Sequence, residues 1–600
     1  MKMHNVEKIT KKQWRFRGLP ETSDILELDE QVKAGKTIST ILLQRGIADF
    51  SSVKNHFNPT AAQLRDPFMM HGMAASVDRL HKAIAQKERI LVYGDYDVDG
   101  TTAVALLYGF LKTQTDGAAW YIPDRYAEGY GISWQGIAFA ADNAFDLIIA
   151  VDCGVRAVDK VARAKSLGID MIICDHHLPG AVLPDALLLN PKQPECPFPY
   201  KELTGCGIAF KLAHAYCLQH HLDTEPLLHR LDLVALSIAA DIVDVTGENR
   251  TLAWLGLQVL NSGAGNPGIM AILTSGGKAL PVVMEDLVFV AGPRVNAAGR
   301  MASAADAVEV LLSGSLAEAR ERAVQLEEHN KFRRNLDRQT ADQALEIISV
   351  HPFISSACST VVMHPDWHKG VVGIVASRLI EVHYRPTVVL TEVDGVCVGS
   401  ARTIEGFDLF QALLACEDVL LQFGGHVHAA GLSLESHRLT EFMERFDAEV
   451  RKVFGDTLPE PVVDVDLLVE EEDVNERLCR ILQRMEPFGP GNMKPVFAMH
   501  DMVNAGSTRA VGKNGEHLKL EVRKRTGDVV FQGIAFGMGH MAPVLRTEVF
   551  SLAFTLEFNE WQGRKTLQLQ VKDIQLGSPA ATIPAGSLKQ YAGRAAGTEW

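Results

Sequence analysis

Four short runs, Ile90 to Tyr93, Leu147 to Val151, Met171 to Cys174 and Leu187 to Leu189, are apolar at nearly every position and are separated by stretches with helical spacing. This pattern predicts a parallel sheet flanked by helices. Polar residues follow each run directly, giving GDYDVDG, DCG, DHH and NP. Acidic groups therefore gather beyond the carboxyl ends of the strands, where open α/β sheets place their ligands. After a proline-rich loop, Asn190 to Tyr200, helical spacing returns over Gly207 to His220 and Leu228 to Val243. Leu316 to Ile348 carries apolar residues at helical intervals among many charges, which predicts a long helical connector. From Thr360 to Val453 strand-like VVM, TVVL and VCVGSAR alternate with helices after GVVGIVASRL and around Phe410 and Phe442, a second and smaller α/β domain. The acidic run Glu470 to Asp473 is expected to be a solvated helix face or linker, since adjacent like charges repel and have no strand-end framework. Beyond EPFGPGNMKP, the alternation in HLKLEVRK, VVFQGIAF, SLAFTLEF and TLQLQVKDI predicts a small all-β barrel.

At 600 residues the chain exceeds one hydrophobic core, and several domains are expected. Hydrophobic content of 47% and charged content of 22% are ordinary for a globular protein, and no long apolar run suits a membrane span. The basic start MKMHNVEKITKKQWRF lacks the apolar segment of a secretory signal, so the cytoplasm is the expected location. The nine cysteines are scattered singly without a CxxC pair, which suggests neither a zinc knuckle nor a disulfide framework and leaves them as small core residues. A net charge of −15 argues against indiscriminate coating of nucleic acid while permitting a local basic groove. The Ala-, Gly- and Ser-rich tail from Gly577 to Trp600 is expected to be mobile.

The loop leaving the first strand carries Asp95, Asp97 and Asp99 at alternate positions, with Gly94 and Gly100 easing its turns. Three carboxylates this close repel unless divalent cations neutralise them. An EF-hand is excluded, because the twelfth position counted from Asp95 is Leu106 rather than a glutamate. Asp152 follows a second strand and Asp175, His176 and His177 a third, so separate segments converge. Such a mixed oxygen and nitrogen set suits Mn²⁺ or Mg²⁺, and two ions ~3.5 to 4 Å apart activate water against a phosphodiester. Taken singly each motif is bland: a lone Asp-His-His is usually a surface loop, Asp152 alone a helix cap, and Asp241 in ALSIAADIVDV a core polar residue. Only their convergence makes them ligands.

Together, GDYDVDG, VDCG, DHHLPG, SIAADIVDV and GPRVNAAGRM resemble the DHH phosphoesterase superfamily. HPDWHKGVVGIVASRL, GSARTIEGFDL, FGGHVHAAGLSL and EPFGPGNMKPVF extend the resemblance to its single-stranded-DNA-specific exonucleases, over most of the chain as far as about Ile574. The resemblance implies an α/β multidomain fold: an N-terminal region at 1–70, a parallel-sheet DHH catalytic domain at 71–313, a helical connector at 314–350, a smaller α/β DHHA1 substrate-binding domain at 351–455, an all-β OB-fold at 456–576 and the tail at 577–600. It implies that Asp97, Asp99, Asp152, His176 and Asp241 hold two ions, Mn²⁺ or Mg²⁺, with Asp95 close by and His177 either assisting catalysis or serving as a satisfied outer histidine. For the strand's 5′ end it points to Arg125, Arg300, Ser400 and Arg402, with Gly424, Gly425 and His426 allowing close approach or forming a tight turn; Arg294 is the alternative to Arg300. In the barrel, Arg509, Lys513, Lys519, Arg523, Lys524, Arg564 and Lys565 with Phe531, Phe536 and Trp561 offer charge and rings for single-strand binding; aromatics inside strands are usually core and surface lysines usually face solvent, so the expectation is for the domain and names no single contact.

The activity so implied is stepwise hydrolysis of single-stranded DNA from its 5′ end to mononucleotides, in DNA repair and recombination. A helicase and a single-strand binding protein are the expected partners, and no motif identifies either. Two alternatives stay open on the residues. One is a phosphodiesterase of cyclic dinucleotides or short oligonucleotides, which has no need of a barrel. The other is a non-catalytic DNA-binding scaffold, which has no need of the full ligand set.

Overall fold

The computed structural model describes residues 11–561 and 563–577, so the tail beyond Gly577 lies outside the described residues. The chain divides into two compact units, one of residues 58–335 with 486–493, the other of residues up to 57 with 336–485 and 494 onward.

In the first unit a five-stranded parallel sheet has strands β1 (Ile90–Tyr93), β2 (Ala118–Tyr121), β3 (Leu147–Val151), β4 (Asp170–Cys174) and β5 (Leu187–Leu189) in the order β2-β1-β3-β4-β5. The expected strands are all present. Strand β2 was not expected; it lies at the sheet edge, and its AAWY sequence is only partly buried and lacks the branched aliphatic run of an inner strand. Helices α1 (Val98–Leu111), α2 (Gly205–Gln219) and α3 (Leu231–Asp241) are buried on nearly every face, as helices enclosed by other elements must be. The chain leaves β1 towards β2 on one side and returns as β3 on the other, so a topological switch point opens between β1 and β3.

A buried ion pair ties the outer segment to this core. Lys211 on α2 pairs with Glu248 and donates to the Arg65 carbonyl at 2.7 Å, while the Arg65 amide donates to Glu248 Oε1 at 2.9 Å. Neither charge reaches solvent, so removing one leaves the other unpaired. Lys211→Met is expected to destabilise this unit by about 3–5 kcal/mol, read as a fall in its urea midpoint; an unchanged midpoint would contradict the staple.

The long helix α4 (Leu316–Val350) matches the expected connector. In the second unit a five-stranded sheet comprises β6 (Thr360–Met363), β7 (Thr387–Val393), β8 (Val396–Arg402), β9 (Gln422–His426) and β10 (Ala429–Glu435), ordered β9-β10-β8-β7-β6, with helix α5 (Val372–Val382) against it. Gly424 and Gly425 lie in the edge strand β9 rather than in a tight turn. A seven-stranded sheet follows, from β11 (Leu467–Leu468), β12 (Phe497–Asn504), β13 (Arg509–Val511), β14 (His517–Lys524), β15 (Phe531–Ala535), β16 (Phe550–Trp561) and β17 (Arg564–Leu576), ordered β11-β12-β16-β17-β15-β14-β13. A further β12–β14 pairing closes it into the expected barrel.

One expectation about this region needs correction, and some of the barrel's open residues are settled. Glu470 to Asp473 is neither a helix face nor a linker but a turn fastened by the Glu470–Lys524 ion pair and an Asp473 carboxylate that accepts from the Glu470 amide. Lys524 is thereby paired, while Arg523 Nη1 donates to the carbonyls of Lys524, Arg525 and Gly527, which fix the guanidinium without neutralising it. Phe531 is core, because β15 pairs it with the buried Val522. Phe536 is 58% exposed and, with Lys519, Ile534, Glu557, Asn559, Gln568 and Gln570, lines a groove of about 530 Å³ on the barrel wall. All nine cysteines are buried and unpaired, and among the described residues no helix is long and apolar enough to cross a membrane.

Candidate metal centre

The carboxyl ends of β1, β3 and β4, adjacent in the sheet, deliver the acidic loops to one place. Asp95 follows β1 through Gly94. Asp97 caps α1, its Oδ1 accepting from the Gly100 amide at 3.1 Å. Asp99, in the first turn of α1, turns inward and accepts from the amides of Gly205 at 2.6 Å and Cys206 at 2.8 Å and from Ser237 Oγ at 2.7 Å. Asp152 follows β3 with φ 60°, and Ile242, directly after Asp241 at the end of α3, has φ 59°. A branched residue held left-handed stores strain of roughly 1–3 kcal/mol, characteristic of functional sites. Here it marks where α3 is stopped to present Asp241.

His176 stands at the middle of the cluster. Its Nε2 is 3.2 Å from Asp152 Oδ1, 3.5 Å from Asp241 Oδ2 and 3.7 Å from Asp99 Oδ2. Three sets, Asp95 with Asp97 and Asp152, Asp99 with His176 and Asp241, and Asp152 with His176 and His177, each bring one potential ligand atom per residue within 4.8 Å. The structure thus brings together all seven residues expected from the sequence around the ions.

Several of their polar atoms are unspent. Asp152 Oδ1, Asp241 Oδ2 and both His176 nitrogens are buried without a hydrogen-bond partner. Buried polar groups are nearly always satisfied, so this concentration fits divalent cations bound by carboxylate and imidazole. Burial, and then the charge of neighbouring carboxylates, pushes Asp95 and Asp152 well above the ordinary carboxylate range and Asp97 above it. The same causes push Asp241 up to about 9. Burial lowers the His176 pKa, leaving the neutral imidazole that a metal requires.

His177 differs. Its Nδ1 lies 2.8 Å from Asp175 Oδ1, whose carboxylate also accepts from the amides of His177 at 3.0 Å and Val155 at 2.8 Å. Burial disfavours both charges, but their mutual bond prevails, holding Asp175 below and His177 above their usual values. The Tyr130 hydroxyl is 3.1 Å from His177 Nε2 and 3.5 Å from the Asp152 carbonyl. Asp175 and Tyr130 were not among the residues singled out for a role. Asp175 at least carried a signal, as the first member of the Asp-His-His run; nothing in the sequence marked Tyr130.

Arg125 covers the Tyr96 ring at 4.7 Å, placing its guanidinium beside the acidic loop, and the charges of Arg125 and Arg300 both act on Tyr96. Arg294, the alternative to Arg300, is a buried partner of Glu327 at 2.6 Å and donates to the Val290 carbonyl. In the other unit, strand register aligns Gly424 with Gly431 and Ser400, and His426 with Ala429 and Arg402. A side chain at Gly373, in the first turn of α5, would stand 3.2 Å from both Ser400 Oγ and Arg402 Nη2, so a helix N-terminus, a hydroxyl and a guanidinium share one corner. The Arg402 charge reaches His426 and lowers its pKa after burial has done so. Gly425 has φ 153°, and a Cβ there would meet the Ala429 carbonyl at 2.3 Å.

Gly205 admits no side chain either: a Cβ would fall 2.5 Å from Asp152 Cβ and 2.9 Å from its Oδ1. Gly205→Ala is therefore expected to displace Asp152 and weaken Mn²⁺ binding about 10–100-fold, the scale of lost ligand support, measured by calorimetric titration. Undiminished affinity would show that Asp152 does not need this close approach.

Three family models match the chain: the DHH family N-terminal domain over residues 89–238, the DHHA1 domain over 354–452 and the RecJ OB domain over 465–573. The chain is 36% identical to the single-stranded-DNA-specific exonuclease RecJ of Bacillus subtilis strain 168, across 94% of this chain and 71% of that protein. It is 33% identical to the RecJ of Dickeya dadantii strain 3937, across 94% and 99%. Among solved structures it resembles RecJ from Thermus thermophilus in complex with Mn²⁺, with TM-score 0.81 and 27% identity over 94% of this chain and 80% of that one. The Mg²⁺ complex of RecJ from the same organism matches with TM-score 0.75 and 27% identity over 94% and 79%.

Proposed function

The chain belongs to the RecJ family of single-stranded-DNA-specific exonucleases, and from that membership we propose that it shortens single-stranded DNA from the 5′ end, releasing 5′-mononucleotides. The observation that carries the reading is the buried, unpartnered set of carboxylate and imidazole atoms at the sheet's switch point. Asp97, Asp99, Asp152, His176 and Asp241, with Asp95 beside them, would hold two Mn²⁺ or Mg²⁺ ions. Two such ions supply an activated water and neutralise charge on the departing oxygen.

The chain's own residues account for the rest. Arg125 and Arg300, next to the acidic loop, bind phosphate oxygens by charge-assisted hydrogen bonds. His177, with Nδ1 on Asp175 and Nε2 beside the Tyr130 hydroxyl, assists at the phosphodiester. Hydrolysis breaks the bond between phosphorus and the 3′ oxygen of the terminal nucleotide, so the shortened strand keeps a 5′ phosphate for the next cycle. Ser400, Arg402, Gly424, Gly425 and His426 grip the strand end in the corner beside α5. Residues 71–313 thus carry the chemistry, 351–455 the terminus and 456–576 the strand beyond, supported by 1–70 and the connector 314–350. An exonuclease confined to single strands needs them exposed and unmelted, which favours a helicase and a single-strand binding protein as partners in the cytoplasm.

The test is a Mn²⁺-dependent digestion of single strands labelled at either end. Label should leave first, as mononucleotide, from the 5′ end. Release from the 3′ end, or activity confined to dinucleotides, would overturn the assignment.

A further inference from the structure

Asp99 differs from its neighbours in how it is held. Asp152 and Asp241 each present an oxygen with no donor, whereas Asp99 Oδ1 accepts from both the Cys206 amide and Ser237 Oγ, and its Oδ2 accepts from the Gly205 amide. The Ser237 hydroxyl also lies 2.6 Å from Thr204 Oγ1. A hydroxyl has one proton, so with Ser237 donating to Asp99 it receives from Thr204. Thr204 Oγ1 in turn accepts from the Gly207 amide at 3.1 Å, as the N-cap of α2. The direction of the chain is fixed from end to end: Gly207 N–H to Thr204 to Ser237 to Asp99. All of these side chains are fully buried.

The geometry points to Ser237 and Thr204 as positioning residues that fix the Asp99 carboxylate for the ions, a role beyond the ion-holding residues themselves and one that rests on the reading of Asp99 as one of them. Ser237 lies four residues before Asp241 on α3, so one helix face supplies a ligand and, one turn earlier, the donor that orients another. The Asp99 carboxylate joins three helices, being carried by α1, gripped by the first amides of α2 and fixed by α3. With Oδ1 spent on the protein, Oδ2 is the oxygen turned to His176 Nε2 and the cluster. Without the Ser237 proton Oδ1 keeps only the Cys206 amide, which loosens the carboxylate's orientation about its Cβ–Cγ bond, and outer partners of metal ligands typically change affinity by about 10–100-fold.

The experiment is calorimetric titration of Mn²⁺ into the full-length wild-type, Ser237→Ala, Thr204→Val and Thr204→Ser proteins, with melting temperatures in chelator and in Mn²⁺. Ser237→Ala should raise the Mn²⁺ dissociation constant about 10–100-fold. Thr204→Val should raise it less, and Thr204→Ser, which keeps the hydroxyl, should restore the wild-type value. The rise in melting temperature on adding Mn²⁺ should shrink in the same order. A folded Ser237→Ala with wild-type affinity overturns the inference, as does a fall in its melting temperature that is equal with and without Mn²⁺, the signature of packing alone. Should Ser237→Ala not fold, equal affinities in Thr204→Val and Thr204→Ser overturn it. Wild-type protein that binds no Mn²⁺ would remove the ion-holding reading as well, so the two failures are told apart.

Discussion

Asp152→Ala is expected to lower turnover by about 10³-fold or more while leaving single-strand binding in chelator largely intact. The carboxylate has Oδ1 unpartnered and 3.2 Å from His176, and it belongs to two of the three potential ligand sets. Its loss therefore disturbs both ends of the cluster, and metal assistance to a phosphodiester is worth several kcal/mol, each ~1.4 of which is tenfold in rate. The proposed strand-binding groups lie elsewhere, among them the exposed Phe536 and Lys519 of the barrel groove and the corner formed by Ser400 and Arg402. Single-turnover digestion with a filter-binding control measures the two separately. Retained turnover would remove Asp152 from the machinery; joint loss of turnover and binding would assign it to substrate instead.

The second large effect is on pH. Burial and mutual charge hold Asp95, Asp97, Asp152 and Asp241 above their ordinary values, with Asp241 at about 9. A folded-state pKa above the unfolded one means that folding binds protons. The associated stability is fully present below the unfolded carboxylate value and is lost as pH rises towards the folded one. Ion-free protein should therefore melt at progressively lower temperature as pH rises through neutrality. Asp175 has the opposite sign, since its value is depressed: its contribution is lost only as pH falls below the ordinary carboxylate range. Cations must displace the bound protons, so Mn²⁺ affinity should strengthen about tenfold per pH unit for each proton displaced. Titrations at about pH 6 and about pH 8, with melting curves in chelator, measure both trends. A pH-independent affinity would mean that the carboxylates are already ionised without metal.

Much of this site is legible in the sequence because its chemistry sits where the sequence changes character. Inner strands of a parallel sheet are apolar at every position, so an aspartate close behind β1, β3 or β4 stands out sharply against its run. Edge elements are harder. Strand β2 is built from alanines and aromatics, and β9 contains adjacent glycines that resemble a turn until β10 pairs with them. The barrel shows a different limit: alternation distinguishes two faces but not which cations are already paired, and only the structure shows Lys524 paired with Glu470. Tyr130 and Ser237 are illegible for a further reason. They act through distances to residues remote in sequence, 47 positions in the case of Tyr130 and His177 and 138 in that of Ser237 and Asp99.

Central to the proposed activity is that this cluster holds the ions that drive hydrolysis. Anomalous diffraction at the manganese edge from crystals grown with Mn²⁺ tests it most directly. The account predicts two strong peaks among Asp95, Asp97, Asp99, Asp152, His176 and Asp241, both absent in Asp152→Ala or reduced there to a weak one. Peaks elsewhere, or none in crystals of protein that still digests single strands, would contradict it.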